Sequence, residues 1–122
     1  MFLFFLYFQK MEDCIFCKII RGEAPSEKVW EDEEILAFKD IKPSAPVHIL
    51  IVPKKHIQNL SDTSSEDQAL LGKIQLTAVE IAEKLGIKDA FRVSTLNGKN
   101  AGQVVFHLHY HLMGGWSEKP NL

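Results

Sequence analysis

The chain has 122 residues, a formal net charge of −2, and 46% hydrophobic and 25% charged residues. Folded-area scaling predicts that such a chain buries about two thirds of its unfolded surface, enough for one domain with a modest core. This size excludes a multidomain enzyme, and the balanced charge lacks the basic footprint of a sequence-reading nucleic-acid binder. Two cysteines, Cys14 and Cys17, do not make a disulfide framework. Their CxxC spacing indicates a metal or redox pair, or two free thiols in a reducing compartment.

The first eight residues, Met1–Phe8, are nearly all apolar. A membrane span needs about 20 such residues, and a secretory signal needs a basic region and a small-residue cleavage site that this sequence does not show. We interpret residues 1–10 as an apolar N-terminal extension from an upstream start. A strand added to a sheet edge and an apolar contact at an oligomer interface remain alternatives. Residues 11–122 are then expected to form a single domain.

Hydrophobic spacing predicts two helices. Asp13 is a candidate N-cap for a short helix over residues 14–20. A longer helix over residues 66–85 begins at a capping box formed by Ser65 and Gln68. The longer helix carries one apolar stripe, made of Leu70, Leu71, Ile74, Ala78, Ala82 and Leu85.

Strands are predicted over Lys28–Trp30, Ile35–Phe38, Val47–Val52, Phe91–Leu96 and Gln103–Met113. Side chains alternate across a strand, so His48, Leu50 and Val52 are expected on one face of the third strand. One long helix among antiparallel-type strands is typical of an α+β fold rather than a series of βαβ units.

Three of the five histidines, His107, His109 and His111, recur at every second position of the last predicted strand. They are therefore expected on one face of that strand. The intervening apolar residues, expected to pack under the long helix, are Phe106, Leu108, Tyr110 and Leu112. Alternate imidazoles can bind a transition metal. They can equally form an anion-binding and nucleophilic site, because neutral imidazole is a nucleophile and its cation donates to phosphate.

The residues before the histidines favour phosphate chemistry. Gly98, Gly102 and the amides around Gln103 come just before the strand, where small residues allow the backbone to approach an anion and direct N–H groups at it. No run of acidic residues lies nearby to orient metal-bound histidines. We therefore expect a phosphate site rather than a catalytic metal.

These residues resemble the histidine-triad (HIT) superfamily, whose signature is His-φ-His-φ-His-φ-φ with φ apolar. Blocks at residues 13–20, 37–41, 45–57 and 101–115 look like its Hint branch of small dimeric purine nucleotide phosphoramidases. The similarity spans about residues 12–116. It implies a five-stranded antiparallel sheet with one long and one short helix, and two subunits that pair into a ten-stranded sheet.

The resemblance implies a role for each histidine. His109 matches the nucleophile, which attacks the α-phosphorus of a nucleoside 5′-phosphoramidate or acyl-nucleotide. Water then hydrolyses the nucleotidyl-imidazole intermediate to the nucleoside monophosphate. His111 matches the residue that hydrogen-bonds the phosphate oxygens, and His107 matches the one that supports and orients the site. His48 matches a fourth histidine that faces the cluster.

The resemblance also implies how a purine nucleotide of the AMP or GMP type is bound. Asp40 matches the carboxylate that accepts hydrogen bonds from the ribose diol. The apolar walls of the purine pocket are Ile15, Phe16, Ile19 and Ile41. Further nucleotide contacts are expected from Asn97, Gly102, Gln103 and Val104. We expect a cytoplasmic homodimer without a nucleic-acid or membrane partner, which requires no cofactor for catalysis.

Two positions depart from the Hint pattern. Leu96 stands where many members carry an asparagine that reaches the phosphate, and Val104 stands where many carry a serine that helps the leaving group. Each change removes one polar contact, so we expect slower turnover or an altered leaving-group preference. A shifted turn could bring Asn97, Lys99 or Asn100 in as substitutes.

A subset of the family uses the CxxC pair together with histidines as a structural zinc site. The candidate ligands here are Cys14, Cys17, His56 and His107, since thiolates and imidazoles suit tetrahedral zinc. Free buried thiols are the default expectation.

Two other functions remain open at this point. A nucleotide-binding module with weak or lost catalysis is motivated by Leu96 and Val104. A metal-dependent enzyme would instead use the three-histidine strand.

Overall fold

A five-stranded antiparallel sheet forms the frame of the domain. In the computed structural model, which describes residues 13–121, the strands are β1 (Lys28–Glu31), β2 (Ile35–Lys39), β3 (Val47–Pro53), β4 (Phe91–Ser94) and β5 (Tyr110–Gly114). Their order is β1-β2-β3-β5-β4, and every neighbouring pair is antiparallel. The predicted α+β fold is confirmed. The extension predicted for residues 1–10 lies outside the described residues.

The short helix α1 spans Ile15–Ile20 and is capped differently from the prediction. Its N-cap is Cys14, whose Sγ accepts a hydrogen bond from the Cys17 amide at 3.3 Å. Asp13 is therefore not the cap. The sulfur takes the place of the usual oxygen acceptor at a helix N-terminus.

The long helix α2 spans Gln68–Lys84, and a 3₁₀ turn precedes it. The capping box lies at Ser64 and Asp67, one residue earlier than predicted, and the Ser64 amide donates to Asp67 Oδ2 at 3.0 Å. No helix within residues 13–121 is both long and apolar enough to cross a bilayer.

The two faces of the sheet carry different side chains. On the α2 face, alternate strand residues such as Ile49, Ile51 and Leu112 form the main core with helix residues such as Ile74 and Ala78. On the α1 face, a second cluster consists of Cys14, Phe16, Cys17, Ile19, Leu36, Phe38, Leu50 and Val52. The predicted alternation in β3 places Leu50 and Val52 together on the α1 face.

The last strand is shorter than predicted, beginning at Tyr110 rather than Gln103. The residues before it form hydrogen bonds with the loop after β3: the Leu108 amide donates to the carbonyl of Ile57, and the Gln103 side chain donates to the carbonyl of Gln58. The chain there is still extended enough for alternation to persist, because Leu108 lies in the α2-face core. The fourth strand likewise ends at Ser94, not at residue 96.

Two predicted core residues are not buried. Phe106 does not pack under the long helix, since it is 44% exposed and lines a separate surface cavity. Leu85, at the end of the predicted stripe, is also largely exposed.

Candidate active site

His109 is held in one orientation and one tautomer by the backbone. Its Nδ1 lies 2.7 Å from the carbonyl oxygen of His107. A carbonyl can only accept, so Nδ1 carries the proton and Nε2 carries the lone pair. The edge of the Phe16 ring packs against the imidazole, with the centroids 5.1 Å apart. Burial lowers the pKa of His109, which favours the neutral ring with its lone pair on Nε2.

His111 lies beside His109, with ring centroids 5.1 Å apart. Its Nδ1 is 2.9 Å from Nε2 of His48, which reaches across from β3. Burial, followed by repulsion from His109 and His48, lowers the pKa of His111 to about 4. Two imidazoles on the α1 face therefore stand side by side, and a third supports one of them.

His107 occupies a different place from its two neighbours in the triad. It is fully buried and does not line the cavity that His109 and His111 share. Its Nε2 donates to the carbonyl of Pro53 at 2.8 Å, so Nδ1 carries a lone pair. Burial lowers the pKa of His107 to about 4. The ring supports the site from behind, and its backbone oxygen anchors His109.

The cavity next to these rings has a volume of about 720 Å³, within the range of small-ligand sites. Its apolar lining includes Ile15, Phe16, Ile19, Phe38, Ile41 and Leu50. All four residues predicted as purine-pocket walls are in this set. Ile41 is 90% exposed and Ile15 43% exposed, so an apolar surface is available at the mouth of the cavity.

Asp40 follows β2 and lines the same cavity. Its Oδ1 accepts a hydrogen bond from the amide of Lys42 at 2.8 Å, and its Oδ2 lies 3.5 Å from Nε2 of His48. The carboxylate is thus close to His48 and also lines the cavity.

The segment after β4 meets the prediction only in part. Leu96, Gly102 and Val104 line the cavity. Asn97 is not a lining residue, and its side-chain oxygen instead accepts a hydrogen bond from the Ser61 amide at 2.8 Å. Gln103 is 3% exposed and does not line the cavity.

The amides expected to face an anion are used within this turn. The amide of Gly98 donates to the side chain of Gln103, and the Gln103 amide donates back to the carbonyl of Gly98. The Gly102 amide donates to the carbonyl of Lys99 at 3.0 Å. The expectation that the amides around Gln103 bind an anion is therefore wrong for these donors, because the turn satisfies its own backbone.

A Cys/His cluster lies behind the cavity. The ligand atoms of Cys14, Cys17, His56 and His107 all lie within 4.8 Å of one another. His107 Nδ1 is 3.4 Å from Cys14 Sγ, 3.5 Å from Cys17 Sγ and 3.2 Å from His56 Nδ1. Burial, together with Cys14, raises the pKa of Cys17 to about 12. Two sulfur and two imidazole donors at this spacing suit a tetrahedral zinc ion.

Sequence reasoning missed several cavity residues. Leu50 lies in register with His111 across the sheet, and the alternation in β3 already placed it on the face of His48. Lys42 lies next to Ile41 in a loop of mostly exposed residues. The alternation of β3 was a usable signal for Leu50, whereas the position of Lys42 depends on how the loop folds back.

Comparisons with known proteins agree with this geometry. The HIT domain matches residues 21–118 of the chain. An uncharacterised HIT-like protein of Synechocystis is 55% identical over 104 residues, which are 85% of this chain and 91% of that protein. A HIT family hydrolase from Clostridium thermocellum is 47% identical with a TM-score of 0.86, covering 91% and 97% of the two chains. A histidine triad nucleotide-binding protein from Candida albicans is 33% identical with a TM-score of 0.76, covering 89% and 86%.

The lowered pKa of His111 predicts an acid-sensitive fold. Between pH 6.5 and about 4, the unfolded chain binds a proton at His111 that the folded chain does not. Stability is therefore full above pH 6.5 and falls below it, by up to about 1.4 kcal/mol per pH unit for this one group. Urea unfolding across this pH range measures the slope.

His111→Gln is the control for this measurement, because it removes the titrating group. Its free energy of unfolding should depend less steeply on pH than that of the wild type. Identical slopes for the two proteins would contradict the lowered pKa.

Proposed function

The chain belongs to the HIT domain family, and we propose that it is a hydrolase or nucleotidyl transferase acting on purine nucleoside 5′-phosphoramidates or acyl-nucleotides. The observation that carries the proposal is the hydrogen bond from His109 Nδ1–H to the His107 carbonyl. It leaves a neutral Nε2 lone pair on a ring that lines a nucleotide-sized cavity beside His111. A buried neutral imidazole in that setting is suited to attack phosphorus.

The binding mode follows from the cavity lining. The purine lies between the apolar side chains of α1 and those at the end of β2, where Phe16 and Ile41 provide flat and exposed apolar surface. The ribose diol donates to Asp40. The α-phosphate then lies against His109 and His111. The similarity to the Candida albicans protein, a histidine triad nucleotide-binding protein, supports a nucleotide ligand.

The reaction proceeds in two displacements at phosphorus. His109 Nε2 donates its lone pair to the α-phosphorus, the bond from phosphorus to the leaving nitrogen or acyl oxygen breaks, and the leaving group takes the bond's electron pair. An amine leaving group also takes up a proton from solvent, which the second displacement returns. Water then attacks the nucleotidyl-histidine, which releases the nucleoside monophosphate, a proton and neutral His109. His111 donates a hydrogen bond to the phosphoryl oxygens as charge builds on them.

The other two functions have less support. A metal-dependent reaction on the three-histidine strand requires three converging rings, but His107 faces the Cys/His cluster while His109 and His111 face the cavity. A binding module with weak or lost catalysis keeps one favourable observation. Leu96 and Val104 both line the cavity and offer no side-chain donor to a phosphate or leaving group.

His109→Ala should abolish hydrolysis of an adenosine phosphoramidate, with a loss of about 10³-fold or more because the nucleophile is gone. AMP binding should persist, since the apolar walls and Asp40 remain. Single-turnover release of AMP and an intact-mass increase of one nucleotidyl group on the wild type measure the reaction.

Three outcomes distinguish the candidate functions. Wild-type turnover that persists in His109→Ala contradicts the nucleophile assignment. AMP binding with neither turnover nor a trapped intermediate favours the binding module. Activity that depends on a chelatable ion favours the metal-dependent enzyme.

Val104→Ser should raise turnover of the same substrate about tenfold, because a hydroxyl beside the leaving group supplies a donor in the transition state. Val104 is 84% exposed, so the substitution should not disturb folding. Val104→Ala is the control, since it removes both γ-methyl groups of valine without adding a hydroxyl. Equal rates for the Ser and Ala variants would remove Val104 as a cause of slow turnover.

We further propose that Cys14, Cys17, His56 and His107 hold a structural zinc ion. Their donor atoms converge, and the lone pair on His107 Nδ1 points to the sulfurs. When bound, zinc would fix α1 to the β3 and β5 segments, because the four ligands come from three separate parts of the chain. The ion takes no part in the displacement at phosphorus.

The zinc proposal predicts one equivalent of zinc in the purified protein, measured by elemental mass spectrometry. Cys17→Ser should lose the metal and lower the melting temperature, whereas His111→Gln, outside the cluster, should keep it. Substituted cobalt should show thiolate-to-metal charge transfer. Zinc content below a tenth of an equivalent (about the level of contamination) after growth with added zinc would contradict the site.

We also propose a cytoplasmic homodimer with a continuous ten-stranded sheet. Both outer strands, β1 and β4, are free at one edge within the described chain. The α2 helix exposes Leu76 and Val79, at 68% and 38%, an apolar surface suited to a partner subunit. Two unpaired thiols are consistent with a reducing compartment.

A further inference from the structure

A backbone amide outside the cavity is hydrogen-bonded to His48, the histidine that contacts His111. The amide of Ser44, in the proline-flanked loop between β2 and β3, donates to His48 Nδ1 at 2.9 Å. This loop is exposed, and Ser44 itself does not line the cavity. His48 is 7% exposed and stands between that loop and His111.

We propose that the Ser44 amide sets the positions of the hydrogens on His48 and His111, so that His111 presents an N–H to the ligand. The proposal deepens the proposed function, since it rests on His111 binding the phosphate. His48 and Ser44 are then positioning residues that act through His111.

The first step concerns His48. A backbone N–H can only donate, so His48 Nδ1 must accept and carries the lone pair. A ring carbon in that position could not accept the bond, and a protonated Nδ1 would set two donors against each other at 2.9 Å. His48 is therefore neutral, and its proton is on Nε2.

The second step passes this constraint to His111. His48 Nε2–H lies 2.9 Å from His111 Nδ1, nearer than the 3.5 Å that separates it from Asp40 Oδ2. It donates to His111 Nδ1, which must then hold a lone pair. The proton of neutral His111 is left on Nε2, the nitrogen that does not face His48.

The result is a complementary pair of nitrogens. His109 has its lone pair on Nε2, because its Nδ1–H is bound to a carbonyl. His111 has a hydrogen on Nε2, because its Nδ1 is bound to a donor. One ring can attack phosphorus while the adjacent ring donates to a phosphoryl oxygen. The opposite tautomer of His111 would turn a lone pair towards an anion and repel it.

Long-range ¹H–¹⁵N correlation spectra of the ¹⁵N-labelled full chain read each tautomer directly. We expect Nε2–H on both His48 and His111 in the wild type. A wild-type His111 that carries its proton on Nδ1 would overturn the proposal, whatever the variants do. This measurement needs neither a variant nor a substrate.

Ser44→Pro removes the amide hydrogen, and Ser44→Ala is its matched control because it keeps that hydrogen and loses only the hydroxyl. Calorimetry with AMP should give a dissociation constant weakened about tenfold in the Pro variant and within about twofold of wild type in the Ala variant. The His48 and His111 signals should change in the Pro variant alone. Equal AMP affinity in the Pro and Ala variants would overturn the proposal.

His48→Gln and His48→Ala provide a rescue test that leaves the loop intact. The Gln amide can replace the donor to His111, whereas Ala cannot, so AMP affinity should recover in Gln relative to Ala. Equal loss in both would overturn the relay. If the wild type shows the expected tautomers but binds no AMP and hydrolyses no phosphoramidate, the proposed function fails while the tautomer assignment stands.

Discussion

In each buried histidine, one ring nitrogen is hydrogen-bonded to the backbone. That bond decides whether the other nitrogen carries a proton or a lone pair. The Pro53 carbonyl accepts a hydrogen bond from the protonated ring nitrogen of His107, and the His107 carbonyl accepts one from that of His109. Many histidine sites use acidic side chains for this purpose. Here the acceptors are backbone carbonyls, and the sheet and its loops hold them in place. The fold therefore fixes the tautomers.

His107 connects the Cys/His cluster to the histidines that line the cavity. Its side chain belongs with Cys14 and Cys17, while its carbonyl oxygen orients His109. Phe16, which lies between the two cysteines in α1, packs edge-on against both His107 and His109, with centroids 6.0 Å and 5.1 Å away. A disturbance of the Cys/His cluster therefore reaches His109 through the backbone and through an aromatic contact. The cluster and the cavity are structurally one unit.

Charged and apolar side chains lie on different sides of the cavity. Within the described lining, the charged side chains are Lys39, Asp40 and Lys42, all at the end of β2 or just after it. The opposite wall, from Leu96 to Val105, contributes only apolar side chains and a glycine. Gly102 has a φ of +101°, and a Cβ built there would come 3.3 Å from Leu96. A ligand thus meets polar groups near Asp40 and at the histidines, and an apolar surface at the far side.

The sequence alone indicated the family through the resemblance of its blocks to the HIT superfamily, and local spacing predicted the α+β class, the five strands and the two helices. The HIT resemblance is confirmed by the domain match and the relatives. The alternation of the triad begins before β5, because His107 and His109 both contact Phe16 while Leu108 between them lies in the α2-face core. Asp40 and the four residues predicted as purine-pocket walls line one cavity.

Only the tertiary structure decided which groups surround each histidine of the triad. Two-residue spacing puts all three triad rings on one face, but the loop after β3 and helix α1 enclose His107 with two thiols and leave His109 and His111 to the cavity. The side chains of Asn97 and Gln103 form hydrogen bonds with loops elsewhere in the chain. These partners are distant in the chain, at Ser61 and Gln58 for example. No local sequence pattern encodes these contacts, so only the folded structure shows them.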